Sequence, residues 1–87
     1  MKEVHFTPEG WATYVWWQSQ DRKTLKRINS LIDAVCRDPF SGTGKPEPLV
    51  GNLSGLWSRR IDEKNRLVYQ VDEVAIVILA CRFHYDD

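Results

Sequence analysis

The spacing of the apolar residues changes once along this chain, and the change leaves few folds open. Leu25, Ile28, Leu31, Ile32 and Val35 recur at helical spacing. From Leu56 onward the pattern has period two, with Trp57, Arg59 and Ile61 alternating with Ser58, Arg60 and Asp62. Pro39 to Gly55 separates the two regimes and holds four of the five Gly and three of the four Pro. Helices first and strands afterwards predict an α+β fold, with an N-terminal αα-hairpin against a small antiparallel β-sheet. At 87 residues, 1–87 is read as a single domain with one modest core.

The boundaries can be read from local chemistry. Lys2 to Phe6 predicts a short strand with Val4 and Phe6 on one side. Thr7-Pro8-Glu9 starts a helix: an N-cap, a proline at the first helical position, and an acid at the positive end of the dipole. That helix is expected to reach about Gln20, with Trp11, Tyr14, Val15 and Gln18 as one stripe, widened by Trp16 and Trp17. An aromatic core helix is the plainer reading and a partner surface the other. Asp21 caps a second helix, which Asp38-Pro39 ends near Arg37. Its outer side shows Arg22, Lys23, Lys26, Arg27 and Ser30, either a solvated basic face or a contact for RNA phosphates.

Pro39 to Gly55 is expected to be irregular but ordered, because a long connector in so small a domain is either functional or disordered, and its prolines favour order. Beyond it, Glu63-Lys64-Asn65 turns the chain between two strands. Pairing Asp62 with Arg66 would put Ser58, Arg60, Arg66 and Gln70 on one polar face over an apolar back. Val74 to Cys81 is nearly all apolar and predicts a strand covered on both faces. A strict two-residue turn before it would send His84 to the face away from Arg66, so a bulge or a longer turn is expected.

Charge and composition remove several function classes. Twelve basic and twelve acidic residues give zero net charge, which argues against a domain that holds naked nucleic acid by charge alone. Basic residues do gather in the middle of the chain, at Lys45, Arg59, Arg60, Lys64 and Arg66. No apolar run reaches the roughly 18 residues of a membrane span. The N-terminus lacks the pattern of a signal peptide, so a cytoplasmic protein with no membrane association is expected. Cys36 and Cys81 sit in apolar patterns and are read as buried free thiols.

Glu47 stands between Pro46 and Pro48. Each proline fixes its own φ and presses the residue before it toward extended geometry. A carboxylate on so stiff a backbone is suited to being aimed. With Arg60, Arg66 and His84 it makes a set able to cut a phosphodiester without metal: a base, an acid and a cationic clamp. Glu47 is read as the base, His84 as the acid, and Arg66 with Arg60 as the clamp, since a guanidinium fork meets two phosphate oxygens at once. Tyr85 would orient His84 or the phosphate. Lys45 and Arg59 are further candidates for phosphate contact. No metal cluster and no nucleotide-binding Gly loop is present, so no metal and no cofactor is expected. On spacing alone these residues also fit a surface charge, a solvated strand face and a plain terminus.

Four blocks in order carry a resemblance: Lys45-Pro46-Glu47-Pro48-Leu49; Asn52 through Ile61, with Leu56-Trp57-Ser58-Arg59-Arg60-Ile61; Arg66-Leu67-Val68-Tyr69; and Arg82-Phe83-His84-Tyr85. With the aromatic first helix and Asp38-Pro39-Phe40-Ser41-Gly42, the chain resembles the Txe/YoeB family of RelE-like toxins from bacterial type II toxin–antitoxin pairs. The resemblance implies a RelE-like fold and ribosome-dependent cleavage of mRNA in the A site of the 70S ribosome. It implies Glu47, Arg66 and His84 as catalytic residues, and Tyr85 and Arg60 as substrate contacts. It also implies a YefM-type antitoxin as partner, with operator DNA reached only through that antitoxin. The aromatic first helix could serve a homodimer. Val50 stands where some members carry Lys, and Asp86-Asp87 follow the His-Tyr at which many members end. A ribosome or RNA binder that does not cut, and a corepressor module, are the competing readings.

Overall fold

The computed structural model describes residues 1–83. Strand β1 (Glu3–Phe6) leads into helices α1 (Pro8–Gln18) and α2 (Arg22–Arg37). Then come β2 (Glu47–Pro48), a 3-10 turn (Gly51–Leu53), β3 (Leu56–Arg60), β4 (Arg66–Val71) and β5 (Ala75–Ala80). The strands form one sheet in the order β1-β5-β4-β3-β2. Four of them are antiparallel neighbours, as expected. β1 instead joins β5 in parallel, which makes the sheet mixed. Parallel neighbours need a crossover, and the helical hairpin forms part of the long return that supplies it.

Both helices start as their caps dictate. The Thr7 hydroxyl accepts from the Gly10 amide at 3.0 Å, and the Asp21 carboxylate accepts from the Lys23 amide at 3.1 Å. α2 buries Ile28, Leu31 and Val35 completely, with Leu25 and Ile32 packed at the edge of the same core. α1 departs from its predicted stripe. It buries Gly10 and Trp17, while Trp11 and Val15 are 54% and 43% exposed. Close approach to β5 decides this. The Trp17 indole donates to the Cys81 carbonyl at 2.8 Å, and the Thr13 hydroxyl accepts from the Cys81 amide at 3.0 Å. Trp11, Phe6 and Tyr14 form an aromatic group beside β1, with Phe6 5.3 Å from each of the other two rings. Both cysteines are buried free thiols, and no helix among the described residues is long and apolar enough to cross a membrane.

The β3–β4 hairpin is shifted two residues from the expected register: Arg60, rather than Asp62, lies opposite Arg66. The Asp62 carboxylate explains the shift. It accepts from the Lys64 and Asn65 amides at 2.8 and 2.7 Å, which uses Asp62 in the turn. A slip of two preserves facing, so Ser58, Arg60, Arg66 and Gln70 still share one face. The turn before β5 holds only Glu73 and Val74 between Asp72 and Ala75, closed by the Asp72 amide donating to the Ala75 carbonyl at 2.9 Å. A bulge then interrupts the ladder: Tyr69 lies opposite Ile78 but Val68 opposite Ala80, so Leu79 is the extra residue.

Candidate active site

Glu47 is carried by a strand of two residues that sequence patterning did not reveal. β2 lies on the sheet edge, with Glu47 opposite Ser58 and Pro48 opposite Trp57. An edge is where a proline without an N–H is tolerated. The Arg60 amide donates to the Gly44 carbonyl at 2.7 Å on one side, and the Leu49 amide to the Leu56 carbonyl at 2.8 Å on the other. Gly44 at φ +87° and Lys45 at φ +52° turn the chain into the edge position. Between those anchors lie Lys45, Pro46, Glu47 and Pro48. The irregular connector expected from the sequence is therefore held to β3 at both ends of its acidic residue.

The side chains meet on the outer face of the hairpin. Arg66 Nη1 donates to Glu47 Oε1 at 2.9 Å and lies 3.4 Å from the Ser58 hydroxyl. The Glu47 side chain is 57% exposed and that of Arg66 26%, so the pair opens to solvent from a partly covered base. Arg60 lies opposite Arg66 on the same face, and its side chain has no hydrogen bond among the described residues. Directly opposed like charges on neighbouring strands destabilise a sheet. An anion between the two guanidinium groups would relieve that repulsion. The backbone of Arg60 is fixed from behind, where Arg27 Nη2 donates to its carbonyl at 3.0 Å. Ser58 is buried and belongs to this group, although only its place in the alternation pointed to it. Arg27 was visible in the sequence only as one cation on a basic helix face.

The other expected site residues stand apart from this group or outside the described residues. Lys45 is exposed, two residues before Glu47, with no side-chain partner among the described residues. Arg59 must be corrected as a phosphate contact: it is wholly buried on the opposite face. Its guanidinium donates to the carbonyls of Thr43 at 2.9 Å, Ser41 at 2.9 Å and Asp38, and to the Tyr69 hydroxyl at 3.2 Å. Strand alternation places it there, beside Trp57 and Leu67. His84 and Tyr85 lie outside the described residues, together with Asp86 and Asp87.

Two titration shifts accompany the buried arginine. Burial pushes the Tyr69 phenol above its ordinary value, and this outweighs the opposing effect of Arg59. The Ser41 hydroxyl holds the Asp38 carboxyl below its ordinary value. Among the described residues, no three His, Cys, Asp or Glu gather as a metal site would require. The arrangement can accept a proton at Glu47 and hold an anion at Arg66 and Arg60.

The matched family covers residues 6–85 and is described as the YoeB-like toxin of bacterial type II toxin–antitoxin systems. Over 83 residues the chain is 55% identical to the toxin YoeB of Synechocystis sp., a match spanning 95% of this chain and 96% of that protein. The YoeB dimer from Staphylococcus aureus has a TM-score of 0.89 at 41% identity, covering 97% of this chain and 98% of the other. The toxin in the heterotetrameric YoeB–YefM complex from the same organism has a TM-score of 0.88 at 41% identity, covering 98% and 99%. With their fold and about half their residues in common along nearly its whole length, the chain belongs to the YoeB-like toxins of bacterial type II toxin–antitoxin systems.

Proposed function

We propose that this toxin is an endoribonuclease that cuts mRNA in the ribosomal A site and so stops translation. The observation that carries the reading is the opposed pair Arg60 and Arg66 with Glu47 held against one of them on an open face. A phosphate entering this face takes the Arg66 fork and frees Glu47 to meet the neighbouring 2′-hydroxyl. Glu47 removes that proton as the 2′-oxygen attacks phosphorus. His84 gives a proton to the departing 5′-oxygen, and Arg66 with Arg60 holds the charge that builds on the phosphoryl oxygens. The 2′-oxygen–phosphorus bond forms and the phosphorus–5′-oxygen bond breaks, leaving a 2′,3′-cyclic phosphate and a 5′-hydroxyl. Tyr85 orients the acid or the phosphate, and Lys45 adds positive charge at the rim. The partners are the ribosome with its mRNA in the cytoplasm, and an antitoxin of the YefM type. That antitoxin carries the toxin to operator DNA. The exposed aromatic rim of α1 offers a surface for a second copy of the toxin.

Single-turnover cleavage of a message held in the A site tests the roles. Glu47→Gln and His84→Gln are each expected to slow it by about 10²–10⁴-fold, the usual worth of a positioned acid or base. Losses of only a few-fold would remove the base and acid assignments. Growth arrest without any cut end on the message would favour a toxin that blocks the ribosome without cleaving.

A further inference from the structure

Arg59 is a buried cation with no carboxylate in hydrogen-bonding range among the described residues. It is wholly excluded from solvent, and its four hydrogen bonds among the described residues go to three backbone carbonyls and one phenol. Burying a charge is costly, and an apolar side chain of similar volume usually serves a core at least as well. What the guanidinium supplies here is a planar fork that reaches Asp38, Ser41 and Thr43 together. The Tyr69 hydroxyl extends the clamp by donating to the Pro39 carbonyl at 2.7 Å.

The backbone on either side of Arg59 holds the other end of the same segment. Ser58 lies opposite Glu47, and the Arg60 amide binds the Gly44 carbonyl. Gly44 packs so tightly that an added Cβ would come within 2.8 Å of Leu31 Cδ2 and 3.2 Å of Arg59 Cβ. One strand therefore grips the connector twice, by a side chain at 38–43 and by its backbone at 44–48. The geometry points to Arg59 as a positioning residue for Glu47, setting where the connector delivers that carboxylate beside Arg66. The inference rests on the reading of Glu47 as general base.

The test is a double-mutant cycle in single-turnover cleavage of A-site mRNA at saturating toxin, with ribosome affinity measured alongside. Arg59→Lys keeps the charge and loses the fork. It is expected to remain folded by near-UV circular dichroism, to bind ribosomes as before, and to cut about 10- to 100-fold more slowly, the scale of a misplaced catalytic group. If Arg59 acts through Glu47, adding Arg59→Lys to Glu47→Gln slows cleavage little further. Tyr69→Phe weakens the clamp by one hydroxyl and should show the same non-additivity at a loss of a few-fold. It decides the matter should Arg59→Lys not fold. Effects that multiply in the folded double variants would overturn the positioning role, as would full activity in folded Arg59→Lys. A Glu47→Gln change that alone costs only a few-fold would instead overturn the general-base reading, and the positioning role with it.

Discussion

A methyl group at position 10 would have nowhere to go. Built on the existing backbone, it would lie 2.1 Å from the Ile78 carbonyl oxygen, inside any permissible contact. Helix α1 is thus laid directly on the backbone of β5, and the Thr7, Thr13 and Trp17 side chains complete the contact. In an open helix, Gly→Ala would stabilise by about 1 kcal/mol. Here Gly10→Ala is expected to destabilise by about 1–3 kcal/mol, the usual penalty of overpacking. Thermal unfolding should show a lower Tm, and an unchanged or raised Tm would contradict the contact. A glycine inside a helical pattern often signals such an approach, but the aromatic residues around it drew the predicted stripe instead. Arg59 is a second such case. Its parity with Trp57 placed it on the apolar side, and its charge obscured that inference.

At the scale of elements, limits set by caps and stops were legible and pairing choices less so. The second helix was bounded correctly because Asp21 and Asp38-Pro39 act within a few residues of themselves. β2 was not visible, since a strand of two residues with a proline in it has no period, and it exists because β3 offers an edge. The parallel placement of β1 likewise depends on how the whole chain returns. The bulge could be anticipated as a geometric need, although not its position at Leu79. Asp38 links these elements. Its carboxylate accepts from the Ser41 hydroxyl and from the Phe40 amide at 3.3 Å, so the connector begins on a titratable turn. The folded pKa of Asp38 lies below its unfolded value, so its contribution is present above the unfolded value of about 3.9 and is lost as pH falls through the folded one. Asp38→Asn should therefore lower Tm at pH 5 to 7, with the gap to the parent protein closing as pH is taken to about 2. A gap that stays constant across that range would show that the carboxylate charge contributes nothing.

Taken whole, the molecule pairs a locally positive site with zero net charge. The site face carries Arg60 and Arg66, with exposed Lys45 two residues before Glu47, beside an acidic group that binds one of the arginines. Three cations would give little hold on a free strand at physiological salt, and no surplus of charge over the rest of the protein attracts one from a distance. On the function proposed above, a ribosome would remove both difficulties by holding the message and presenting one phosphate at a time. Binding energy between toxin and ribosome would then take the place of affinity for RNA, and the site would need only to complete the reaction. Cleavage of one message should accordingly be slow when the RNA is free and fast when it occupies the A site. Capture of the free strand should weaken with salt at a log–log slope of only about −2, the value for three contacts on a single strand. Equal cleavage rates on free and ribosome-held message would show that the site recruits RNA unaided, and the charge balance of the molecule would then need another explanation.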